Sequence, residues 1–137
     1  MYFRPGGRDD RERYMYSFLT VEQYLKKKCN GEDIAQVFYD NGYKSVAIYG
    51  AGELGECLYK DLIHSNIVID CFVETNSESF YNGKCGLPVI SVKEVEKKCK
   101  ADVIVISAIY YTNEIIDALL QYGWPLEKIM NLSDVVY

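Results

Sequence analysis

The chain has 137 residues, of which 49% are hydrophobic, enough for one globular domain with a substantial core. No apolar run approaches the ~20 residues that span a bilayer, and the charged start lacks the apolar core of a signal peptide. We therefore expect a cytoplasmic protein with no membrane insertion. Residues 1–28 carry seven Lys/Arg and four Asp/Glu, whereas the remainder carries eight and sixteen. An acidic body of this kind argues against a nucleic-acid partner.

The cysteines give no metal-binding pattern in the sequence. The chain has one histidine, His64, and no C-x-x-C motif, and its five cysteines are scattered. Because a zinc site needs clustered ligands, the sequence predicts no metal site and reduced thiols. Cys57 and Cys71 fall within apolar patterns and are predicted to be small core residues.

The first 43 residues are predicted to form an N-terminal extension. Residues 1–16 show no clear period and are expected to be a loose arm. A helical pattern then runs from Thr20 to Cys29, with Thr20 and Gln23 in the positions of a capping box. A second helix is predicted over residues 32–40, before a separate domain at 44–137.

Strand and helix patterns alternate from residue 45 onward. This alternation predicts an α/β domain with a parallel, doubly wound, Rossmann-like sheet of about five strands in the order 3-2-1-4-5. The predicted strands are 45–49, 68–73, 88–90, 102–107 and 128–132, and the predicted helices between them are 53–64, 92–99 and 112–122. The residues from 133 onward are expected to form a short tail.

The first predicted strand ends in the glycine-rich stretch SVAIYGAGELG, which has the G-x-G-x-x-G spacing of a phosphate-binding turn. In such a turn Gly50 allows a tight bend, Gly52 leaves room for a pyrophosphate, and Gly55 allows close packing of helix on strand. The helix that begins near Glu53 would direct its free N–H groups and its dipole at a bound anion.

A carboxylate follows at the distance expected for a ribose contact. Glu74 ends the next apolar run, 24 residues after Gly50, and would favour a free 2′-hydroxyl, so the predicted cofactor is NAD rather than NADP. Glu53 has two interpretations, since its carboxylate suits the helix dipole but also repels a phosphate. The predicted cofactor-binding residues are Gly50, Ala51, Gly52, Glu53, Leu54, Gly55, Glu74, Asn76, Ser107 and Ala108.

The sequence offers no convincing catalytic residues. Tyr24 and Lys28 match the Tyr-x-x-x-Lys pair of short-chain sugar-modifying enzymes, but they precede the first strand, so Tyr24 is interpreted as a core aromatic. His64 is predicted at a helix end, away from the crevice. Tyr110 and Tyr111 are predicted to reach the crevice, where they would stack on a ligand or only cover the core.

Residues 44–137 resemble the small Rossmann-like domains of bacterial polysaccharide and nucleotide-sugar biosynthesis. The resemblance is carried by the segments VAIYGAGELGECLYKDL, CFVETNSES, GLPVISVKEV, ADVIVISAIYYTNEIIDAL and EKIMNLSDVV. It implies phosphate-loop roles for the three glycines, a ribose role for Glu74, and a second copy of the chain or a glycosyltransferase as partner. Glu74-Thr75 stands where that group often has two acidic residues. The turn also resembles that of potassium-channel regulatory domains, which bind nucleotides.

Three functions remain open from the sequence. The first is a non-catalytic module that binds a nucleotide or nucleotide sugar. The second is a small NAD-dependent oxidoreductase, or a subunit of one, acting on a nucleotide sugar. The third is an interaction domain with no ligand in its crevice.

Overall fold

The computed structural model describes residues 10–137. The helices are α1 (Asp10–Cys29), α2 (Ala35–Asp40), α3 (Glu53–Leu62), α4 (Val95–Lys98), α5 (Thr112–Gln121) and α6 (Leu132–Val136). The strands are β1 (Ser45–Tyr49), β2 (Val68–Glu74), β3 (Val89–Ser91), β4 (Val103–Ile106) and β5 (Ile129–Asn131). Single 3₁₀ turns occupy Ser77–Phe80, Val92–Glu94, Ile109–Tyr111 and Leu126–Lys128.

The five strands form one parallel sheet in the order β3-β2-β1-β4-β5. This confirms the predicted Rossmann-like, doubly wound architecture. The order reverses between β1 and β4, because the chain builds outward on one side and then crosses to the other. In sheets of this type the crevice for a ligand lies beyond the carboxyl ends of the strands at the reversal.

Two hydrophobic cores cover the two faces of the sheet, because the side chains of each strand alternate between faces. On β1, Val46 and Ile48 pack with α2, α3 and α6, whereas Ala47 and Tyr49 pack with the α4 and α5 side. Leu58 and Leu62 bury the inner face of α3. Cys57, which the sequence predicted to be a core residue, is exposed instead, and the exposed Leu54 lines the crevice.

The N-terminal segment differs most from expectation. Helix α1 begins at Asp10, so residues 10–16 are helical and not a loose arm, while residues 1–9 lie outside the described part. Thr20 is not a cap: it is fully buried in mid-helix, and its hydroxyl donates to the Tyr16 carbonyl at 2.8 Å. Tyr16 and Tyr24 pack against the core on the α2 and α3 side. The division into an extension at 1–43 and a domain at 44–137 stays a prediction.

The end of the chain is also more ordered than expected. Residues 132–136 form α6 instead of a tail, and Asn131 and Asp134 cap it through a reciprocal pair of hydrogen bonds. Leu132, Val135 and Val136 are buried in the core. Within residues 10–137, no helix is both long enough and apolar enough to cross a membrane.

Gly55 is predicted to be essential for stability, because a Cβ there would lie 1.9 Å from the Gly50 carbonyl oxygen. Gly55→Ala should lower the free energy of unfolding by about 1–3 kcal/mol, the usual cost of overpacking. Urea denaturation followed by circular dichroism measures this. Gly52→Ala is the matched control, since a Cβ at Gly52 meets nothing within 4 Å; equal stabilities of the two variants would contradict the prediction.

Candidate functional site

The glycine turn is held in a single conformation by its neighbours. Gly50 has φ of +112°, a backbone region that favours glycine, and its N–H donates to the Val73 carbonyl at 2.9 Å. The buried Ser107 hydroxyl, from the end of β4, lies 2.9 Å from the Tyr49 carbonyl and 3.1 Å from the Gly50 carbonyl, and donates to both. Hydrogen bonds therefore attach the turn to β2 and to the end of β4, the two strands on either side of β1.

The N-terminus of α3 opens into the crevice. The first hydrogen bond of the helix runs from the Glu56 backbone N–H to the Gly52 carbonyl at 3.0 Å. The backbone amides of Glu53, Leu54 and Gly55 therefore have no partners inside the helix. Among residues 10–137, no side chain caps this helix end. Gly52 presents open space on the same side, so an anion can approach the amides directly.

Glu74 stands at the end of β2, and its carboxylate has a partner in the turn itself. Its Oε1 accepts the Ala51 N–H at 2.6 Å. This amide is therefore not available to a ligand, and Ala51 is buried. The second carboxylate oxygen, Oε2, has no hydrogen-bond partner among the described side chains, so it is free to accept a hydroxyl.

Eight of the ten residues predicted from the sequence line one cavity of about 970 Å³. Ala51 and Asn76 do not line it. Asn76 follows β2 but turns away, and its side-chain oxygen accepts the Glu78 N–H at 3.2 Å to cap a 3₁₀ turn. Whether the eight residues bind a cofactor stays a prediction.

Helix α1 forms the opposite wall, which the sequence analysis missed. Tyr14, Ser17, Phe18 and Val21 line the cavity together with Ile109, Tyr110 and Tyr111. Tyr14 and Phe18 leave 66% and 62% of their surfaces exposed, so this wall is aromatic and accessible. The rings of Tyr14 and Tyr110 lie 5.0 Å apart, a distance at which aromatic pairs attract.

The hydrophobic pattern that could have predicted this wall is present in the sequence, but it is divided between two sides of α1. Tyr16, Thr20 and Tyr24 pack on the core, whereas Tyr14, Phe18, Val21 and Leu25 lie on another side of the helix at helical spacing and are exposed. An amphipathic helix is recognised by one apolar stripe opposite a polar one. With two apolar stripes on one helix, hydrophobic residues are spread around its circumference and the pattern of a single apolar face is lost. Each stripe taken alone has the spacing of a helix.

Polar contacts attach α1 beside the cavity. Arg13 forms a two-pronged ion pair with the Glu114 carboxylate, with Nη1 to Oε2 at 3.1 Å, and its guanidinium lies 5.4 Å from the centre of the Tyr110 ring. Tyr110 also donates to the Asp10 carboxylate, a bond that raises the pKa of Tyr110 to about 12. On the other side of α1, the Tyr16 hydroxyl lies 2.7 Å from the Ser133 hydroxyl.

The titratable groups that line the cavity are two carboxylates and three tyrosines. No Lys, Arg, His or Cys of residues 10–137 lines it. The Tyr24 and Lys28 pair lies elsewhere, where both side chains bind Asp61, and burial of Tyr24 raises the pKa of its phenol. His64 lines a separate surface hollow beside Lys28 and Asp61.

This combination of sheet order, glycine turn and crevice defines a Rossmann-like α/β domain. The chain belongs to the family described as C2185-like, N-terminal, whose model matches residues 42–130. A search of curated protein sequences gave no match.

Two solved structures resemble this chain in fold. One is RSP, a Rex-family repressor, with 14% identity, a TM-score of 0.48, and coverage of 94% of this chain and 87% of that one. The other is RSP in complex with β-NAD⁺ and operator DNA, with 13% identity, a TM-score of 0.46, and coverage of 88% and 82%. At these identities the likeness concerns the fold alone.

The comparisons contradict one expectation and give no support to another. Excluding nucleic acid as a partner was wrong, since a repressor of similar fold is crystallised with operator DNA. Net charge averages over the whole surface, whereas contacts to phosphates need only a local group of Lys and Arg. None of these matches points to polysaccharide biosynthesis, so the resemblance to domains of that kind finds no support in the comparisons.

The hydrogen bond between the Glu74 carboxylate and the Ala51 N–H is predicted to stabilise the folded protein. Glu74→Ala should lower the free energy of unfolding by about 1–3 kcal/mol, because it leaves the buried Ala51 amide without an acceptor. Urea denaturation measures the loss. Glu78→Ala is the control, as Glu78 is exposed in the loop that follows. If Glu78→Ala destabilises the protein as much as Glu74→Ala, the turn does not depend on this bond.

Proposed function

We propose that the crevice binds a dinucleotide of the NAD type and that the protein is a binding module. The observation that carries this proposal is the N-terminus of α3, where no side chain caps the helix and residues 52–55 line the cavity. Helix N-termini bind anions through these amides and the helix dipole. The pyrophosphate would lie there.

The other parts of such a ligand fit the remaining walls. Oε2 of Glu74 is placed to accept a ribose hydroxyl, and Oε1 keeps the carboxylate oriented by holding the Ala51 N–H. Tyr14, Phe18 and Tyr110 offer aromatic surface for a base or a nicotinamide ring. The cavity of about 970 Å³ is at the upper end of the usual range for small-molecule sites.

The charges of the crevice favour NAD over NADP. Glu53 and Glu74 both line the cavity, and no cation from residues 10–137 stands there to accept a 2′-phosphate. Two negative side chains would repel the additional phosphate of NADP.

A ligand that binds the folded state raises its stability, so thermal unfolding tests the proposal. NAD⁺, NADH, NADP⁺, a UDP-sugar and coenzyme A are added in turn at millimolar concentration. We expect NAD⁺ or NADH to raise the melting temperature most, since a ligand at 100 times its Kd adds ~2.7 kcal/mol. β-NAD⁺, which one of the repressor structures contains, is the first compound to test. No shift with any compound would contradict the proposal.

Substitutions at Gly52 test ligand binding without disturbing the fold. Gly52 has φ of −86° and ψ of −159°, and a Cβ there meets nothing within 4 Å, so larger side chains fit without strain. Gly52→Ser should keep or slightly raise the stability of the free protein, because serine caps helices well, and should weaken the NAD⁺-induced shift by competing for the amides. Gly52→Val should remove the shift by filling the anion's place. Unchanged shifts in both variants would place the phosphates elsewhere.

Substitution of Glu53 is expected to raise the affinity for the ligand, whereas the substitutions of Gly52 lower it. Glu53→Gln removes a negative charge from the first turn of α3 and should raise the affinity for the pyrophosphate by about two- to fivefold at low salt. Isothermal titration calorimetry with NAD⁺ at two ionic strengths measures the gain, which salt should diminish. Glu22→Gln is the control, because Glu22 lies on α1, pairs with Lys26 and does not line the cavity. A loss of affinity in Glu53→Gln would show that this carboxylate contacts the ligand.

A further inference from the structure

Away from the crevice, three potential metal ligands meet on the α4 and α5 face of the sheet. The sulfurs of Cys71 and Cys99 and a carboxylate oxygen of Asp70 all lie within 4.8 Å of one another. Cys71 and Cys99 are 2% and 4% exposed, and Asp70 is half-buried. Cys99 follows α4, so the cluster joins the middle of β2 to the connection that leads into β4.

An irregularity in the sheet creates this cluster. Val46 of β1 lies beside Ile69 of β2, but the next residue, Ala47, lies beside Cys71. Asp70 is therefore an extra residue, and the strand bulges there. Neighbouring residues on a regular strand point to opposite faces, whereas a bulge redirects a side chain. This allows the Asp70 carboxylate to approach the Cys71 sulfur.

A backbone amide supports one of the three ligands. The Lys100 N–H donates to Oδ2 of Asp70 at 3.1 Å. This donor belongs to the residue directly after Cys99, so the segment that carries one ligand also orients another. Hydrogen bonds of this kind to ligating groups are typical of metal sites, where they fix the ligand and compensate its negative charge.

We propose that Asp70, Cys71 and Cys99 bind a divalent transition-metal ion that accepts thiolate ligands, of which zinc is the best example. Two sulfurs and one carboxylate oxygen supply three ligands of a tetrahedral site, and water supplies the fourth through the half-exposed side of Asp70. As the metal–sulfur bonds form, the two thiol protons leave to solvent, and no electrons are transferred. The ion would tie β2 to the start of β4.

Cobalt(II) titration of the reduced, metal-free protein tests this site. Tetrahedral cobalt with thiolate ligands gives intense visible bands and a sulfur-to-metal charge-transfer band in the near ultraviolet, and zinc should displace it. We expect both bands, saturating at one ion per chain, together with zinc in the protein as purified, measured by elemental analysis. No cobalt bands and no bound zinc would overturn the proposal.

Variants assign the ligands. Asp70→Asn should weaken cobalt binding about tenfold, and Cys99→Ala should lower the intensity of the charge-transfer band, because it leaves one thiolate ligand. Cys57→Ser and Cys29→Ser, at exposed cysteines elsewhere, should bind as the wild type does. Since Cys99 is buried and its variant is at risk of not folding, Asp70→Asn is the decisive variant. Full affinity in Asp70→Asn, or loss in Cys57→Ser, would refute the assignment.

A redox pair is the competing explanation for two neighbouring thiols. Mass spectrometry of the unreduced protein would then show a Cys71–Cys99 disulfide, and the reduced protein would bind no cobalt. That combination overturns the metal site. NAD⁺ binding in the crevice is measured separately by thermal shift, so either inference can fail while the other stands.

Discussion

The structure depends on the close contact between the start of α3 and the end of β1. Gly55 lies directly against the Gly50 carbonyl, where no side chain fits. This contact brings the helix end to the reversal point of the sheet, and the Ser107 hydroxyl binds the same carbonyl from the neighbouring strand. The amides of α3 are thereby held at a fixed place beside β1, β2 and β4. A longer separation would leave the same residues pointing into solvent without a crevice.

The second determinant is α1, which turns an open edge into a cavity. Its inner stripe packs on the core through Tyr16, Thr20 and Tyr24, and its outer residues line the space above the glycine turn. Arg13 and Asp10 attach it to the segment after β4, through Glu114 and Tyr110. Because these contacts join residues that are 100 and 101 positions apart, the position of this wall depends on the tertiary structure.

Strand β2 carries two sites of different character. Its carboxyl end supplies Glu74 to the crevice, where one oxygen holds the Ala51 amide. Its middle supplies Asp70 and Cys71 to a separate cluster with Cys99. The bulge at Asp70 shifts the alternation of side chains between the two faces of the sheet by one residue. As a result, Ile69 and Phe72 pack on one face, and Cys71 and Val73 pack on the other.

The sequence by itself determined the architecture, the strand order and most of the crevice. Alternating strands and helices admit few arrangements, and the spacing of Gly50, Gly52 and Gly55 marks the turn that leads into α3. These are local signals, carried by residues close together in the chain. Only the tertiary structure shows that α1 forms a wall of the cavity, that Asn76 does not line it, and that Cys71 lies beside Cys99. Two apolar stripes on one helix conceal its periodicity, and a single bulged residue cannot be recognised until its partner strand is present to define the register.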